Sequence, residues 1–235
     1  MALLFIFDMD NVLYDYDWRT RMAALSELTG HSVPQLRERW WRTGSEEKAE
    51  AGGFASAEDY LDSFRAAVGV DVAEEDWVRA RGSAMAPFPE SLDAVSRAAE
   101  LGRVTLLTNN GPLTAKHLPR LAPALVPLFG HEHLRTSSQY GARKPDPRVF
   151  ERVLERYDTA PEDAFFADDL TENVAGAESV GITAHLFSPA TGGPGLRDAI
   201  ERFARDAAAR AGAAAGARAA GAAEATGIEG GHAGR

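Results

Sequence analysis

Leu3 to Phe7 is an unbroken apolar run, too short for a helix and with no polar face, as expected of a strand buried on both sides of a sheet. Comparable short runs recur at Val104 to Leu107, Ala164 to Ala167 and Ile182 to Leu186. Between them lie stretches with helical spacing, one from about Leu113, one over Pro147 to Tyr157 and one over Thr171 to Val180. Strands alternating with helices in this way predict parallel strands joined by helical crossovers. Residues 17 to 85 carry a different pattern. Helical stretches around Trp18 to Leu28, Pro34 to Arg42, Ala57 to Val68 and Glu74 to Gly82 follow one another with no convincing strand between them. Ser56-Ala57-Glu58-Asp59 reads as a helix start, with Asp standing where a capping box usually has Glu or Gln. The prediction is therefore an α/β fold: a doubly wound, mostly parallel Rossmann-like sheet over residues 1–15 and 87–205, with a helical insert over 16–86. Beyond Arg205 the chain turns to Ala, Gly and Arg. Ala favours extending a helix over Asp206 to Arg218, whereas the Gly content predicts a frayed or disordered tail over 206–235.

Composition narrows the function classes. The 235 residues are long enough for one large α/β domain or for a core with a smaller companion. Asp and Glu outnumber Lys and Arg by 35 to 25, and the net charge of -10 disfavours nucleic acid and anionic membrane as partners. The absence of cysteine removes disulfides, thiolate metal sites and thiol nucleophiles together. No run approaches the ~18 apolar residues of a membrane span, and the opening run is too short for a secretory signal, so the expected location is the cytoplasm.

Candidate chemistry collects where the apolar runs stop. Asp8 closes the first strand and Asp10 lies in the loop beyond it, at the edge where open α/β sheets hold ligands. Taken alone, two aspartates there are equally well read as a turn. Thr108-Asn109-Asn110-Gly111 ends the next strand, Lys144 stands just before a helix that opens at Pro147, and Asp168-Asp169 ends a further strand. Four carboxylates converging on one rim would repel one another unless a cation joined them, and hard oxygen ligands suit Mg²⁺. Lys144 and the Thr108 hydroxyl suit phosphate oxygens. A carboxylate can attack phosphorus while a second serves as acid and then base, so the set reads as phosphoryl transfer.

Asp8-Met9-Asp10, Thr108, Lys144 and Asp168-Asp169 with Asn173 resemble, in order and spacing, the four motifs of the haloacid dehalogenase-like hydrolases. The resemblance spans residues 3 to about 187 and includes a helical insert where that family carries a cap. It implies Asp8 as nucleophile and Asp10 as acid and base, with Thr108, Asn109 and Lys144 in the phosphate-binding group. It also implies Mg²⁺ held by Asp8, Asp169, the Asp10 carbonyl and Asp168, directly or through water, with Asn173 supporting the loop. The implied substrate is a small phosphorylated metabolite such as a sugar phosphate. One departure stands out: Asn11-Val12 follows the second aspartate where the family usually has Gly and then Thr or Val. Asn tolerates left-handed backbone, so the turn is expected to survive.

Alternatives on the same fold are a haloacid-type dehalogenase, whose relatives lack an acid at the Asp10 position, a phosphomutase, and a catalytically silent binding protein. Two further features invite other readings. His131-Glu132-His133 has no third ligand nearby and is expected to be a surface turn. Arg37 to Arg42, with Trp40 and Trp41 between arginines, is expected to be a helix of the insert with one Trp buried.

Overall fold

The computed structural model describes residues 2–227. Four strands, β1 (Leu3–Phe7), β4 (Gly102–Leu106), β5 (Ala164–Asp168) and β6 (Thr183–Leu186), form a parallel sheet in the order β4-β1-β5-β6. β1 lies between β4 and β5, which explains its uninterrupted apolar sequence: its neighbours cover both edges and helices cover both faces. Alternation along β1 separates two cores. Phe5 and Phe7 point to a cluster with Val95, Phe129, Ile200 and Phe203, while Leu4 and Ile6 point to one with Val149, Phe150, Val153 and Ala177.

The second face is covered by helices Pro147–Tyr157 and Thr171–Ser179, both expected from the sequence. The first of these buries Val149, Phe150, Val153, Leu154 and Tyr157, spaced by three or four so that they share one stripe. It starts cleanly because Asp146 accepts the Arg148 N–H at its cap and Pro147 follows. The first face is covered by helix Pro89–Leu101 and by a long helix, Gly192–Gly227. The expected fraying from residue 206 is therefore corrected through Gly227. The helix propensity of the alanines prevails over the scattered glycines, and Ala207 still packs against the fold. Residues 228–235 of the expected tail lie outside the described residues.

The segment between the first strand and the rest of the sheet is helical as expected, over Trp18–Thr29, Val33–Leu36, Ser45–Glu50, Ala57–Val68 and Glu74–Gly82. The expected helix over Pro34 to Arg42 instead ends at Leu36 and widens into a π-helical turn, Arg37–Trp41, that buries Trp40 and leaves Trp41 half-exposed. Ser56 caps the helix at Ala57 by accepting the Asp59 N–H. These helices close around Trp40, Tyr60, Phe64 and Trp77, and the cluster also takes in Leu113 and Leu121 from helix Pro112–Leu121 of the sheet's own layer. Two short strands were not expected. β2 (Tyr14–Tyr16) and β3 (Met85–Pro87) pair antiparallel, Tyr16 opposite Met85, and form a ribbon where the chain enters and leaves the insert.

Candidate active site

The strand register sets the site. Phe7 is level with Leu106 on one side and Ala167 on the other, so Asp8, Thr108 and Asp168 all emerge at the carboxyl edge of the sheet. The alignment is continued by Asp8 N–H donating to the Ala167 carbonyl (3.0 Å) and Leu107 N–H to that of Phe7 (2.8 Å). Lys144 arrives from a loop rather than a strand, between the 3-10 turn Ser137–Tyr140 and the helix at Pro147. It is 1% exposed, and its Nζ lies 2.9 Å from Asp8 Oδ1 and 2.6 Å from Asp168 Oδ2.

Asp168 is fully buried and saturated. Oδ2 accepts from Lys144, and Oδ1 accepts from the Leu170 N–H and from Asn173 Nδ2, each at 2.9 Å. Asn173 thus acts by fixing Asp168. Asp8 is less well served: the Lys144 contact lies off hydrogen-bond geometry, leaving Oδ1 buried without a donor. Burial pushes the Asp8 carboxyl up to about 8 against the pull of Lys144, with Asp168 and Asp10 adding to the rise. Burial alone would lower the Lys144 ammonium, but Asp8 and Asp168 outweigh it and hold it above the ordinary lysine value. Asp169 is raised by burial and by the Asp168 charge.

Asp8, Asp168 and Asp169 each offer a carboxylate oxygen, and these oxygens lie within 4.8 Å of one another. An oxygen-only donor set of this kind, with one acceptor buried and lacking a donor, fits a hard divalent cation. The Asp10 side chain is outside this group. Both its oxygens accept from Nη2 of Arg81, at 2.7 and 2.6 Å, and Arg81 belongs to helix Glu74–Gly82 of the insert.

Thr108 is buried, and its hydroxyl accepts from Asn110 Nδ2 at 2.8 Å. Asn109, expected in the phosphate-binding group, uses its side chain to shape the loop. Its side-chain amide donates to the Lys144 carbonyl and accepts the Lys144 N–H, both at 2.9 Å, so it clamps the lysine's backbone. Asn11, the departure from the usual pattern, does adopt a left-handed conformation (φ 61°). Its side chain accepts from the Tyr16 N–H and donates to Asp169, each at 3.3 Å, linking the first and last motifs as a glycine could not.

The sequence did not single out Arg81 or Glu50. Arg81 sits among charges that resemble any solvated helix end, yet it is 1% exposed. Glu50, pushed up to about 7 mainly by burial although Arg143 opposes the rise, accepts from Arg143 Nε at 2.6 Å. With Ser137 Oγ donating to the Glu50 carbonyl (2.8 Å), it fastens the insert beside Lys144. His131 to His133 form a short 3-10 turn, and His133 meets the Tyr157 hydroxyl at 2.8 Å.

The sequence profile of the haloacid dehalogenase-like hydrolases matches residues 3–181. The chain belongs to that family. This haloacid dehalogenase-like hydrolase is 27% identical to phosphatase MT3486 of Mycobacterium tuberculosis over 186 residues, 77% of this chain and 85% of the relative. It is also 27% identical to a ribulose-1,5-bisphosphate 5-phosphatase of Halopiger xanaduensis over 210 residues, 80% of this chain and 86% of the relative. Among solved structures, it resembles a HAD family enzyme of Bacteroides thetaiotaomicron in complex with magnesium and inorganic phosphate. The TM-score is 0.67 at 20% identity, covering 80% of this chain and 95% of that one. A 2-haloacid dehalogenase of Pseudomonas syringae aligns with a TM-score of 0.53 at 21% identity, covering 78% and 85%. At these identities the structural likenesses speak for the fold, a Rossmann-like α/β sheet. No helix among the described residues is long and apolar enough to cross a membrane.

Proposed function

We propose that this hydrolase is a Mg²⁺-dependent phosphatase that acts on a small phosphorylated metabolite through an aspartyl-phosphate on Asp8. The observation that carries the reading is the juxtaposition at the sheet edge. Asp8, Asp168 and Asp169 surround a space suited to a cation, while Lys144 stands against Asp8, ready to meet a phosphoryl oxygen. The phosphatase names of two relatives support it. Mg²⁺ would be held by Asp8, Asp169 and the Asp10 carbonyl, with Asp168 beside them, and would neutralise phosphoryl charge.

In the first half-reaction an Asp8 oxygen bonds to phosphorus as the bond to the leaving oxygen breaks. That oxygen keeps the electron pair, takes the Asp10 proton and departs as an alcohol. In the second, Asp10 removes a proton from water, whose oxygen attacks the phosphorus, and the bond to Asp8 breaks to release inorganic phosphate. Lys144 and the Thr108 hydroxyl hold the phosphoryl group, and Asn109 and Asn173 keep Lys144 and Asp168 in place. The helices over 16–86 act as a cap that admits the substrate and excludes bulk water.

Asp10 supplies an acid where carbon-halogen cleavage has no leaving oxygen to protonate, which favours the phosphatase over the dehalogenase. Assay of p-nitrophenyl phosphate and a panel of phosphorylated metabolites, with Mg²⁺ and with EDTA, tests the proposal. Mg²⁺-dependent phosphate release is expected. Release of halide from 2-haloacids with no phosphate released, or phosphate release unaffected by EDTA, would overturn it.

A further inference from the structure

We infer that Arg81 is a positioning residue for Asp10, a cation of the insert that holds the proton-transferring carboxyl in its working orientation. The inference rests on the reading above, in which Asp10 serves the leaving oxygen. Arg81 is the ion-pair partner of Asp10 among the described residues, and the Lys144 ammonium is paired instead with Asp8 and Asp168.

Arg81 is itself fixed. Its guanidinium carbon lies 3.9 Å from the centre of the Tyr16 ring, stacked on the side chain that ends β2. Tyr16 is paired with Met85 of β3, so the stack bridges the points where the chain leaves the sheet for the insert and comes back. The Tyr16 hydroxyl accepts from Arg21 (3.2 Å), which lies over the Trp77 ring at 5.0 Å and 3.9 Å from Glu46. Glu46 in turn accepts from Trp40 and Tyr60 in the middle of the insert. A continuous set of side chains thus runs from the packed centre of the insert to the Asp10 carboxyl.

A purely structural role does not explain the residue. Nε and Nη1 of Arg81 are buried without a hydrogen-bond partner among the described residues, which is costly, and an apolar side chain of similar volume would pack there without that cost. What such a side chain could not do is grip both oxygens of Asp10. A carboxyl on a short stem rotates freely unless held, and proton transfer demands placement at the leaving oxygen.

The test compares two esters within each variant. An alkyl phosphate needs the Asp10 proton to expel its alkoxide, whereas p-nitrophenolate leaves largely unaided. Arg81→Met should lower kcat for glycerol phosphate at least ~10-fold more than for p-nitrophenyl phosphate, part of the ~10²-fold scale of a positioned acid. Arg81→Lys, which keeps a donor within reach, should recover most of that difference. Added guanidinium should partly restore Arg81→Ala. In the Asp10→Asn background, Arg81→Met should change the ratio of the two esters no further. Equal loss on both esters, or no loss, would assign Arg81 to packing and overturn the inference. If Asp10→Asn itself shows no preference between esters, the acid assignment fails and this inference falls with it. If Asp10→Asn shows the preference and Arg81→Met does not, only the role of Arg81 is refuted.

Discussion

Lys144 at the sheet edge and Arg81 on the insert are both buried cations set against aspartates, and they are held in opposite ways. Lys144 is held by fixed partners: Asn109 clamps its backbone, and Asp168, one of its two carboxylates, is locked by Leu170 and Asn173. Arg81 has one nitrogen on Asp10, an aromatic ring against its face, and two nitrogens with no partner among the described residues. The sheet edge is therefore pre-organised by itself, in the sense that electrostatic catalysis requires. Asp10 depends on a second layer of the molecule. The difference teaches that Asp8 and Asp10, two residues apart in the chain, are positioned by separate regions.

The contrast can be broken most forcefully at Lys144. Lys144→Met leaves Asp8 and Asp168 buried together without their cation, and should cost about 3–5 kcal/mol in urea unfolding and reduce phosphate release to background. A variant as stable as the parent would show that the rim is not held by this lysine. Asp10→Asn keeps an amide oxygen for Arg81 but removes its counter-charge, so it should cost some stability, less than Lys144→Met, and cut turnover of an alkyl phosphate by ~10²-fold or more. An effect seen only as weaker Mg²⁺ affinity would move Asp10 out of the acid-base role.

A smaller effect follows from the raised carboxyl of Asp8. Because burial lifts it from 3.8 to about 8 in the folded protein, its contribution to stability is full below 3.8 and is lost as pH rises toward 8. The melting temperature of the metal-free protein should fall through that window, and the fall should shrink in Asp8→Asn and on adding Mg²⁺. Identical pH profiles for parent and variant would contradict this. The smallest effect is expected at the link between the two regions. Arg143 is partly exposed, so Glu50→Gln should cost no more than about 1 kcal/mol, read from the urea midpoint, and a larger loss would make this contact part of the pre-organised rim.

Local pattern was informative where burial is uniform and poor where function depends on distant pairing. β1 announces itself because both its faces are covered, and the strand ends then bring Asp8, Thr108 and Asp168 to one edge without further information. The bond from the Asn109 side chain to Lys144 spans 35 positions and leaves no local trace. Arg81 lies 71 positions from Asp10, and its neighbours Arg79 and Gly82 give it the look of an ordinary helix end. The ribbon of β2 and β3 escaped notice because three-residue strands are too short to show alternation. In the long terminal helix, Gly and Ala gave opposing signals, and the balance through Gly227 was set by Ala.

The central claim, that Asp8 attacks phosphorus, is tested most directly by quenching the enzyme with acid during turnover of a phosphorylated substrate, treating it with borohydride and sequencing its peptides by mass spectrometry. Residue 8 should be converted to homoserine, the reduction product of an aspartyl-phosphate, in substrate-treated enzyme alone. Unmodified Asp8 under turnover, or the modification at a different carboxylate, would contradict it.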